Sequence, residues 1–395
     1  MNSWSYPLKF SSVTMRTLLV TPSYFPIVGG SEILTRILAN RLSNMGIKTD
    51  IMTYNMDKKW EPKWKAETVK EGSIKLIKVP ALNLFGSANP LFSTLRMNVL
   101  PRPDFIKAFA DYHIIHFVGE ADLSLPLLAC FVKRPKLMQC VGIFRYGGIY
   151  NYYKHQRRYL GTIFRRYFPN LADIFVASSS EEKELLSELG VDEDKILLLP
   201  LGVDVETFIP AEEKRIENLI LFVGRIDRIK GLHVLIESLQ HIRIPVQVAV
   251  IGPRWDEAYV REIEKRSVTI SKERKHKVTF LGPMDQENLV PWYQKAAVLV
   301  CPYLYETHSN VVREAIACGT PVISTGSHMS NTCSDGIILT SRNPERLAET
   351  IENLLKNKGT RERCGKEGRG YAENSLSWNS IIKELVVIYE RMLGD

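Results

Sequence analysis

Long apolar runs, cysteine pairs and a recognisable leader segment are all absent from this sequence of 395 residues. No window approaches the roughly 20 apolar residues that a membrane-spanning helix needs. The six cysteines form no Cys-x-x-Cys pair, which argues against a disulfide framework or a zinc site and favours reduced core thiols. No charged segment followed by an apolar stretch and a cleavage site opens the chain. These absences predict a cytoplasmic protein.

Acidic residues are missing from one long segment. Between Leu123 and Ala172 there are nine Lys or Arg and no Asp or Glu. Residues 1–204 carry 26 basic and 19 acidic residues, whereas the remainder carries 26 and 25. We therefore expect the N-terminal half to face something negatively charged. Hydrophobic content of 45% and charged content of 24% are typical of a globular protein, and the length predicts about two domains.

Short apolar, β-branched runs alternate with helical patterns along the whole chain. The first pair is a strand at 17–23 and a helix at 31–46, with Ser31 as the N-cap. The alternation restarts after residue 217. Two such series predict an α/β fold class with two Rossmann-like doubly wound domains facing across a cleft. The expected boundaries are an extension at 1–14, an N-terminal domain at 15–204, a C-terminal domain at 205–377 and a C-terminal helix at 378–395.

The stretch VGRIDRIKG places two cations at a strand-to-helix junction. The strand ends at Gly224, Arg225 follows, and Lys230 precedes the next helix. Cations beside the positive end of a helix can clamp a diphosphate, and the alternative is a pair of solvated cations on a loop. The stretch is neither G-x-G-x-x-G nor a phosphate loop, which argues against NAD binding and ATP hydrolysis.

The stretch YETHSNVVREAIACGTPVIST carries two glutamates separated by seven residues. Glu306 follows a predicted strand, Ser309 is the expected N-cap of a helix, and Glu314 falls in the second turn of that helix. A carboxylate accepts hydrogen bonds from vicinal hydroxyls, so each glutamate could hold a sugar or a ribose. The alternative is a solvated loop acid at Glu306 and a helix-dipole partner at Glu314.

These motifs together resemble glycosyltransferase family 4. The resemblance rests on GRIDRIKG and on the glutamate spacing followed by EAIACGTPVIS. It extends over most of the chain through YFPIVGGSE, HIIHF, LPLGVD and VTFLGPM. The resemblance implies a retaining, nucleotide-sugar-dependent transferase of the GT-B architecture, whose N-terminal domain binds the acceptor and whose C-terminal domain binds the donor.

The resemblance also implies roles for individual residues. Arg225 and Lys230 would bind the donor diphosphate, Glu314 the ribose and Glu306 the transferred sugar. The implied donor-binding set is Gly29, Gly30, Gly224, Arg225, Lys230, Glu306, His308, Ser309, Asn310, Val311, Val312 and Glu314.

The chain departs from the family at three places. His308–Ser309 stand where the family often has Phe-Gly, and Val118 and Val141 stand where it often has histidines. His116 remains as the histidine candidate in the N-terminal domain, so the implied catalytic set is Arg225, Lys230, Glu306 and His116.

No Asp-x-Asp motif and no His/Cys cluster accompanies these residues. We therefore expect no metal and no other cofactor, with cations offsetting the charge of the leaving diphosphate. The resemblance implies frontal attack by the acceptor, retention of the donor's α configuration, and proton transfer to the departing phosphate oxygen.

The segment 144–168 is the acceptor or membrane candidate. It holds six Lys or Arg, six Tyr, three Phe and no acid, a composition suited to a lipid headgroup interface. Its alternative is a core helix with a solvated basic side, and nucleic acid is disfavoured because no known module accompanies it. The candidates are Arg145, Tyr146, Lys154, Arg157, Arg158, Arg165 and Arg166.

The leading hypothesis is a hexosyltransferase of glycolipid, lipid-linked oligosaccharide or surface polysaccharide synthesis. Its partners would be a nucleotide-sugar donor, a hydroxyl acceptor that could be lipid-linked, and an anionic membrane surface. A family-related sugar-phosphate synthase or phosphorylase, a nucleotide-sugar 2-epimerase and an inactive nucleotide-sugar binder remain as alternatives. The protein would be free in the cytoplasm or peripheral on the cytoplasmic face of the membrane.

Overall fold

The computed structural model describes residues 15–25, 30–57, 63, 65–83, 99–101, 103–119, 128–140, 167–211, 215–304, 306, 308–326 and 336–394. Its contacts divide the chain into two compact units. Unit 1 comprises Met1–Ser178, Glu182–Leu199 and Ile382–Asp395, and unit 2 comprises Ser179–Glu181 and Pro200–Ile381. The last residues of the chain therefore belong with the N-terminal unit.

Unit 1 is built on sheet 1, in which the strands run in the order β10-β9-β8-β7-β1-β2-β4-β3. Its strands are parallel except at the β3–β4 edge pair. The short β5 and β6 pair separately as an antiparallel ribbon. The bounds are β1 (Arg16–Thr21), β2 (Lys48–Tyr54), β3 (Glu67–Glu71), β4 (Ile74–Val79), β5 (Ala81–Asn83), β6 (Val99–Pro101), β7 (Ile114–Gly119), β8 (Lys136–Cys140), β9 (Ile174–Ala177) and β10 (Ile196–Leu198).

Within the described residues of unit 1, the helices α1 (Gly30–Asn44) and α2 (Ser180–Glu188) accompany this sheet, with 3-10 segments at Pro103–Asp111, Phe168–Asn170 and Glu193–Lys195. The prediction that Ser31 caps α1 is wrong, because the helix already begins at Gly30. Ser31 lies in the first turn, where its hydroxyl donates to the carboxylate of Glu32 instead of accepting from the backbone. The strand interiors, including Leu18, Val20 and Phe117, form the core of unit 1.

Unit 2 contains sheet 2, with the strand order β13-β12-β11-β14-β15-β16. All of its strand pairs are parallel. Counted within the unit this order is 3-2-1-4-5-6, the order of the dinucleotide-binding Rossmann fold, which reverses direction between β11 and β14. The bounds are β11 (Ile216–Val223), β12 (Gln247–Ile251), β13 (Lys277–Gly282), β14 (Ala296–Cys301), β15 (Val322–Ser324) and β16 (Ile337–Leu339).

Helices cover both faces of sheet 2. Along β11, Ile220 and Phe222 enter one apolar cluster while Leu219, Leu221 and Val223 enter another, as alternation along a strand requires. The helices of unit 2 are α3 (Leu232–Ser238), α4 (Glu257–Arg274), α5 (Gln286–Lys295), α6 (Asn310–Ala317), α7 (Pro344–Lys356) and α8 (Lys358–Tyr371); α9 (Trp378–Leu393) begins in unit 2 and ends in unit 1.

The predicted fold class is confirmed, since both units are α/β with largely parallel sheets. Four strands were not predicted, namely β3, β5, β6 and β16. β3 reads ETVKE and is exposed along most of its length, so it has no apolar run, and the other three are only three residues long. The expectation of core thiols fails at Cys130, which is exposed. Among the described residues, no helix has the length and apolar character needed to cross a membrane.

Candidate functional site

The candidate site lies where sheet 2 reverses its strand order, between the ends of β11 and β14. The two loops that follow these strands are joined by the backbone, because Leu304 N donates to Ile229 O at 2.9 Å. Gly231 has a φ of +71°, and a Cβ there would stand 1.8 Å from Pro302 O. Only glycine permits this approach, so the cationic loop is pressed against the loop that carries Glu306.

Arg225 and Lys230 are held by a shared acid. Asp227 Oδ2 lies 3.4 Å from Arg225 Nη2, and Asp227 Oδ1 accepts the backbone N–H of Lys230 at 2.9 Å. The loop also begins with Gly224, whose N–H donates to Ile251 O and whose φ is +149°. Asp227 was not among the predicted site residues, although it stands between the two cations in the sequence.

Lys230 and Glu306 form an ion pair between their Nζ and Oε2 atoms. The two side chains are only 18% and 14% exposed, so the pair is screened less than a surface salt bridge. The Lys230 ammonium also lies 4.9 Å from the centroid of the Tyr303 ring. The structure thus brings together one predicted cation and one predicted acid in a half-buried position.

The N-terminus of α6 adjoins this pair. Tyr303 is buried, and its hydroxyl lies 2.9 Å from Ser309 Oγ. Ser309 is the N-cap, as predicted, and accepts from Val312 N at 3.3 Å. Asn310 is exposed, and Val311 and His308 are partly buried. The first amides of a helix favour an anion, so this end of α6 suits a phosphate.

Glu314 lies in the second turn of α6, as predicted, and it is partly buried. The hydroxyl of the buried Tyr293 donates to Glu314 Oε2 at 2.8 Å, which fixes the carboxylate and leaves Oε1 for another donor. Burial raises the pKa of Glu314, and the hydrogen bond from Tyr293 opposes that rise. Tyr293 comes from α5, and no local pattern in the sequence marked it.

Two arginines hold the C-terminal ends of the site helices. Arg215 Nη1 donates to Tyr293 O, Gln294 O and Ala296 O at 2.8–2.9 Å, and its Nη2 donates to Cys318 O at 2.7 Å. Arg369 Nη1 donates to Ala317 O at 2.7 Å. These donors satisfy carbonyls that helix ends leave without partners. Arg215 therefore fixes both the helix of Tyr293 and the helix of Glu314.

Trp255 stacks on Arg225. The Arg225 guanidinium carbon lies 4.9 Å from the centroid of the indole ring, and Trp255 remains 66% exposed. An exposed tryptophan is uncommon, and this one follows β12, the strand beside β11. It holds Arg225 in place and offers an aromatic surface at the edge of the site. The sequence prediction did not include it.

His116 is a predicted site residue of unit 1. It belongs to β7, is completely buried, and its Nδ1 lies 2.6 Å from the hydroxyl of Tyr389 in α9. Burial lowers the pKa of His116 to about 3. The ring therefore contacts a helix rather than solvent, and a catalytic role for it stays a prediction.

The remaining predicted residues of unit 1 divide into two groups. Gly30 is the first residue of α1, and a Cβ there would meet nothing within 4 Å. Gly29 and all seven acceptor candidates, Arg145, Tyr146, Lys154, Arg157, Arg158, Arg165 and Arg166, lie outside the described residues. Across the described residues, no group of three or more His, Cys, Asp or Glu could hold a metal ion.

Solved structures with this fold place the chain in a class. It resembles a sucrose-phosphate synthase from Thermosynechococcus elongatus with a TM-score of 0.69 and 22% identity, covering 96% of this chain and 99% of that one. It also resembles an Anabaena protein in complex with UDP, with a TM-score of 0.70 and 15% identity over 95% of this chain and 100% of that one. The fold is that of the GT-B glycosyltransferases.

Two family models match the sequence, one for each half. Residues 28–207 match Glycosyltransferase Family 4, and residues 217–357 match Glycosyl transferases group 1. Together these matches cover most of the chain, which belongs to the family 4 and group 1 glycosyltransferases.

Two curated relatives show how far this similarity extends. A D-inositol 3-phosphate glycosyltransferase of Xylanimonas cellulosilytica is 30% identical over 239 residues, which are 55% of this chain and 57% of that protein. The chain therefore spans little more than half the length of that relative. An uncharacterized glycosyltransferase of Methanocaldococcus jannaschii is 26% identical over 400 residues, covering 95% of this chain and 98% of that protein.

Proposed function

We propose that the protein is a retaining hexosyltransferase that moves a sugar from a nucleoside diphosphate sugar to a hydroxyl acceptor. The observation that carries this proposal is the Lys230–Glu306 ion pair beside the N-terminus of α6. It joins a phosphate-binding cation to a hydroxyl-binding carboxylate at the strand-order reversal of a Rossmann sheet, where such sheets bind ligands. Family membership supports the same activity.

The donor diphosphate would meet three positive groups. Arg225, Lys230 and the first amides of α6 would donate to its oxygens. When Lys230 turns to the phosphate, Glu306 loses its partner and can accept hydrogen bonds from the hydroxyls of the transferred sugar. Glu314 Oε1 would accept from the ribose hydroxyls, because Tyr293 already occupies Oε2. Each end of the donor would then be held by one carboxylate.

The same cations would stabilise the transition state. As the bond between the anomeric carbon and the phosphate oxygen breaks, negative charge grows on the leaving diphosphate, where Arg225 and Lys230 are already placed. The acceptor oxygen bonds to the anomeric carbon from the side that the diphosphate leaves, and its proton passes to the departing phosphate oxygen. This route retains the donor configuration and assigns no step to a metal or other cofactor.

The acceptor class has two candidates. The basic N-terminal half favours a negatively charged acceptor such as a lipid-linked diphosphate sugar, as in glycolipid, lipid-linked oligosaccharide or surface polysaccharide synthesis. Similarity to an inositol 3-phosphate glycosyltransferase and to a sucrose-phosphate synthase favours a soluble phosphorylated acceptor. Both candidates carry phosphate, which the positive charge of this half would attract.

A donor screen tests the proposal. UDP-, GDP- and ADP-sugars are added to the protein, and the donor that binds most tightly should raise its melting temperature by mass action. We expect release of free nucleoside diphosphate to accelerate when a lipid-linked or phosphorylated sugar acceptor is added, and to continue in EDTA.

The outcomes separate the alternative functions. Stabilisation without acceptor-dependent release would indicate an inactive nucleotide-sugar binder, and interconversion of the donor sugar without any acceptor would indicate an epimerase. Loss of turnover in EDTA would contradict the metal-independent route. Inversion of the anomeric configuration in the product, read by NMR, would contradict the retaining one.

A further inference from the structure

Unit 1 contains a cavity of about 540 Å³ that no step of the proposed reaction uses. It lies beside Lys136 and Ile174, the first residues of β8 and β9. Substrates of this fold class bind at the carboxyl ends of the parallel strands. The beginnings of the strands, and therefore this cavity, lie at the opposite edge of the sheet.

The rim of the cavity is strongly basic. Lys133, Arg134, Lys136 and Arg391 surround it, against one carboxylate at Asp173. Asp173 Oδ2 accepts the backbone N–H of Lys136 at 2.7 Å. Among the described residues, no ion pair within 4 Å joins these four cations to an acid. The rim therefore presents a concentration of positive charge that forms no ion pair with the described acids.

Two of the cations are held in place by backbone carbonyls. Arg134 Nη2 donates to Ala110 O at 2.8 Å, and Lys136 Nζ donates to Ala129 O at 3.4 Å. Each side chain keeps further N–H donors that these bonds do not use. A site with fixed donors loses less side-chain entropy on binding than one made of freely rotating lysines.

The floor of the cavity is apolar. Val132 and Ile388 are 4% and 7% exposed, and Ile174, Leu197 and Met392 are partly buried around them. Ile388, Arg391 and Met392 follow helical spacing, so α9 presents two apolar side chains and one cation to the cavity on a single face. The cavity thus combines a charged rim with an apolar floor.

We propose that this cavity binds an amphiphilic phosphate, namely an anionic phosphate group that carries an apolar chain. The phosphate would accept hydrogen bonds from Lys133, Lys136 and Arg391, and the chain would cover the apolar floor. The volume falls within the range of small-molecule sites. The proposal is independent of the reaction assigned to unit 2, because it uses none of the residues there.

Calorimetric titration with soluble dibutyryl phosphatidic acid tests the site. Lys133→Gln and Arg391→Gln are combined in one variant, since neither side chain makes a hydrogen bond within the described residues that the fold would lose. We expect this variant to bind the probe at least about tenfold more weakly than the natural protein, as loss of two charge-assisted hydrogen bonds requires. UDP binding at unit 2 should not change.

The matched control is Arg346→Gln combined with Arg363→Gln, which removes the same charge from exposed residues of unit 2. The control should bind the probe as the natural protein does. Equal weakening in both variants would overturn the proposal, because the effect would then follow net charge rather than the cavity. Absence of binding between the natural protein and both the probe and vesicles that contain phosphatidic acid would overturn it as well. Inorganic phosphate binding as tightly as the probe would contradict the role of the apolar floor.

A second measurement identifies the source of the ligand. Vesicles of phosphatidylcholine with and without phosphatidic acid are sedimented with the natural protein and with both double variants. Capture by the acidic vesicles that only the cavity variant loses would identify a lipid headgroup as the ligand. Binding of the soluble probe without vesicle capture would identify a free phosphorylated amphiphile. Both results support the cavity, whereas vesicle capture that the cavity variant retains, without binding of the soluble probe, would refute it.

Discussion

The two sheets reverse their strand order at corresponding places, and the chemistry there differs. In unit 2, the loops after β11 and β14 carry Arg225, Lys230 and Glu306 as charged, partly exposed side chains. In unit 1, Ser23 after β1 is buried and its hydroxyl donates to the buried carboxylate of Glu32, while His116 in β7 is buried against α9. The comparison shows that strand order sets the location of a site, whereas the side chains decide what it binds.

The difference has a physical cause. Both oxygens of the buried Glu32 carboxylate already accept hydroxyl groups, from Ser23 and Ser31, so this acid has little to offer a ligand, whereas Glu314 keeps Oε1. Lys230 and Glu306 pair with each other, so a ligand phosphate can replace Glu306 as the partner of Lys230 while a ligand hydroxyl replaces Lys230 as the donor to Glu306. The charges at the strand-order reversal of unit 2 therefore suit the diphosphate of the proposed donor.

The largest expected effect is on turnover through the cationic loop. Lys230→Ala should lower kcat by about 10²–10³-fold, because it removes a positive group aimed at the charge of the leaving diphosphate. Arg225→Ala should have an effect of similar size. Steady-state kinetics with the donor found by screening measures both, and Arg346→Ala, an exposed cation of the same unit, is the control that should remain near the natural rate. Full activity in the Arg225→Ala/Lys230→Ala double variant would contradict the diphosphate clamp.

The next effect concerns the buried His116 of unit 1 and the pH dependence of stability. His116 has a pKa of about 3 because it is buried, below the ordinary value of 6.5. Between pH 6.5 and pH 3 the histidine is therefore protonated in the unfolded chain but neutral in the folded chain. The free energy of unfolding falls as the pH decreases through this range. In the natural protein this histidine should make the free energy of unfolding depend on pH with a slope of about 1 kcal/mol per pH unit. We expect His116→Gln to remove that slope, as measured by urea unfolding across the same range.

Tyr389→Phe separates the effect of the hydrogen bond between Tyr389 and His116 from the effect of burying His116. It should lower the free energy of unfolding by about 1 kcal/mol at every pH, as loss of one hydrogen bond predicts, while the slope remains. A residual slope should persist in His116→Gln, since burial also lowers the pKa of His276. An unchanged slope in His116→Gln would show that the histidine is not the group that titrates.

A smaller effect should appear at Glu314. Glu314→Gln should weaken UDP binding by about tenfold at neutral pH, because an amide accepts the ribose hydroxyls less strongly than a carboxylate. In the natural protein, affinity should rise as the pH increases through the raised pKa of Glu314, since the ionised form is the acceptor. Titrations of UDP between pH 4 and pH 8 measure this, and Glu314→Gln should flatten the profile.

Tyr293→Phe is the companion variant to Glu314→Gln. It removes the hydrogen bond that lowers the pKa of Glu314, so the rise in UDP affinity should move to higher pH. A profile that stays in place would mean that Tyr293 does not tune the carboxylate.

The smallest effect should come from Trp255. Trp255→Ala should weaken UDP binding about threefold, as loss of an exposed cation–π contact with Arg225 predicts. Intrinsic tryptophan fluorescence should change when UDP binds the natural protein, and the response should be reduced in Trp255→Phe. An identical response in that variant would show that the indole does not adjoin the ligand.

The fold was accessible from sequence because its strands are apolar and β-branched. Strands such as β11 and β14 are buried on both faces of a parallel sheet and therefore stand out as continuous runs, whereas the exposed β3 does not. The cap at Ser309 was also predictable, since a serine before a helical pattern is a local signal. Ser31 shows the limit of that signal, because it lies inside the helix and its hydroxyl donates to the Glu32 carboxylate.

The residues that position the site side chains were mostly not predictable from the sequence. Tyr293 orients Glu314 from 21 positions away in sequence, and Arg215 reaches four carbonyls between 78 and 103 positions away. Such contacts depend on which helices pack side by side, and no local periodicity encodes that. Trp255 and Asp227 lay close to predicted strands, but only their distances to Arg225 reveal what they do.

By itself, the sequence determined the class of fold and the order of charged residues after the strands, because burial and backbone propensity act over short stretches. Only the tertiary structure decided which of those charges meet. It paired Lys230 with Glu306, buried His116 against α9, and gathered Lys133, Lys136 and Arg391 around one cavity. The reason is that electrostatic and packing energies depend on distance in space, and distance along the chain does not fix it.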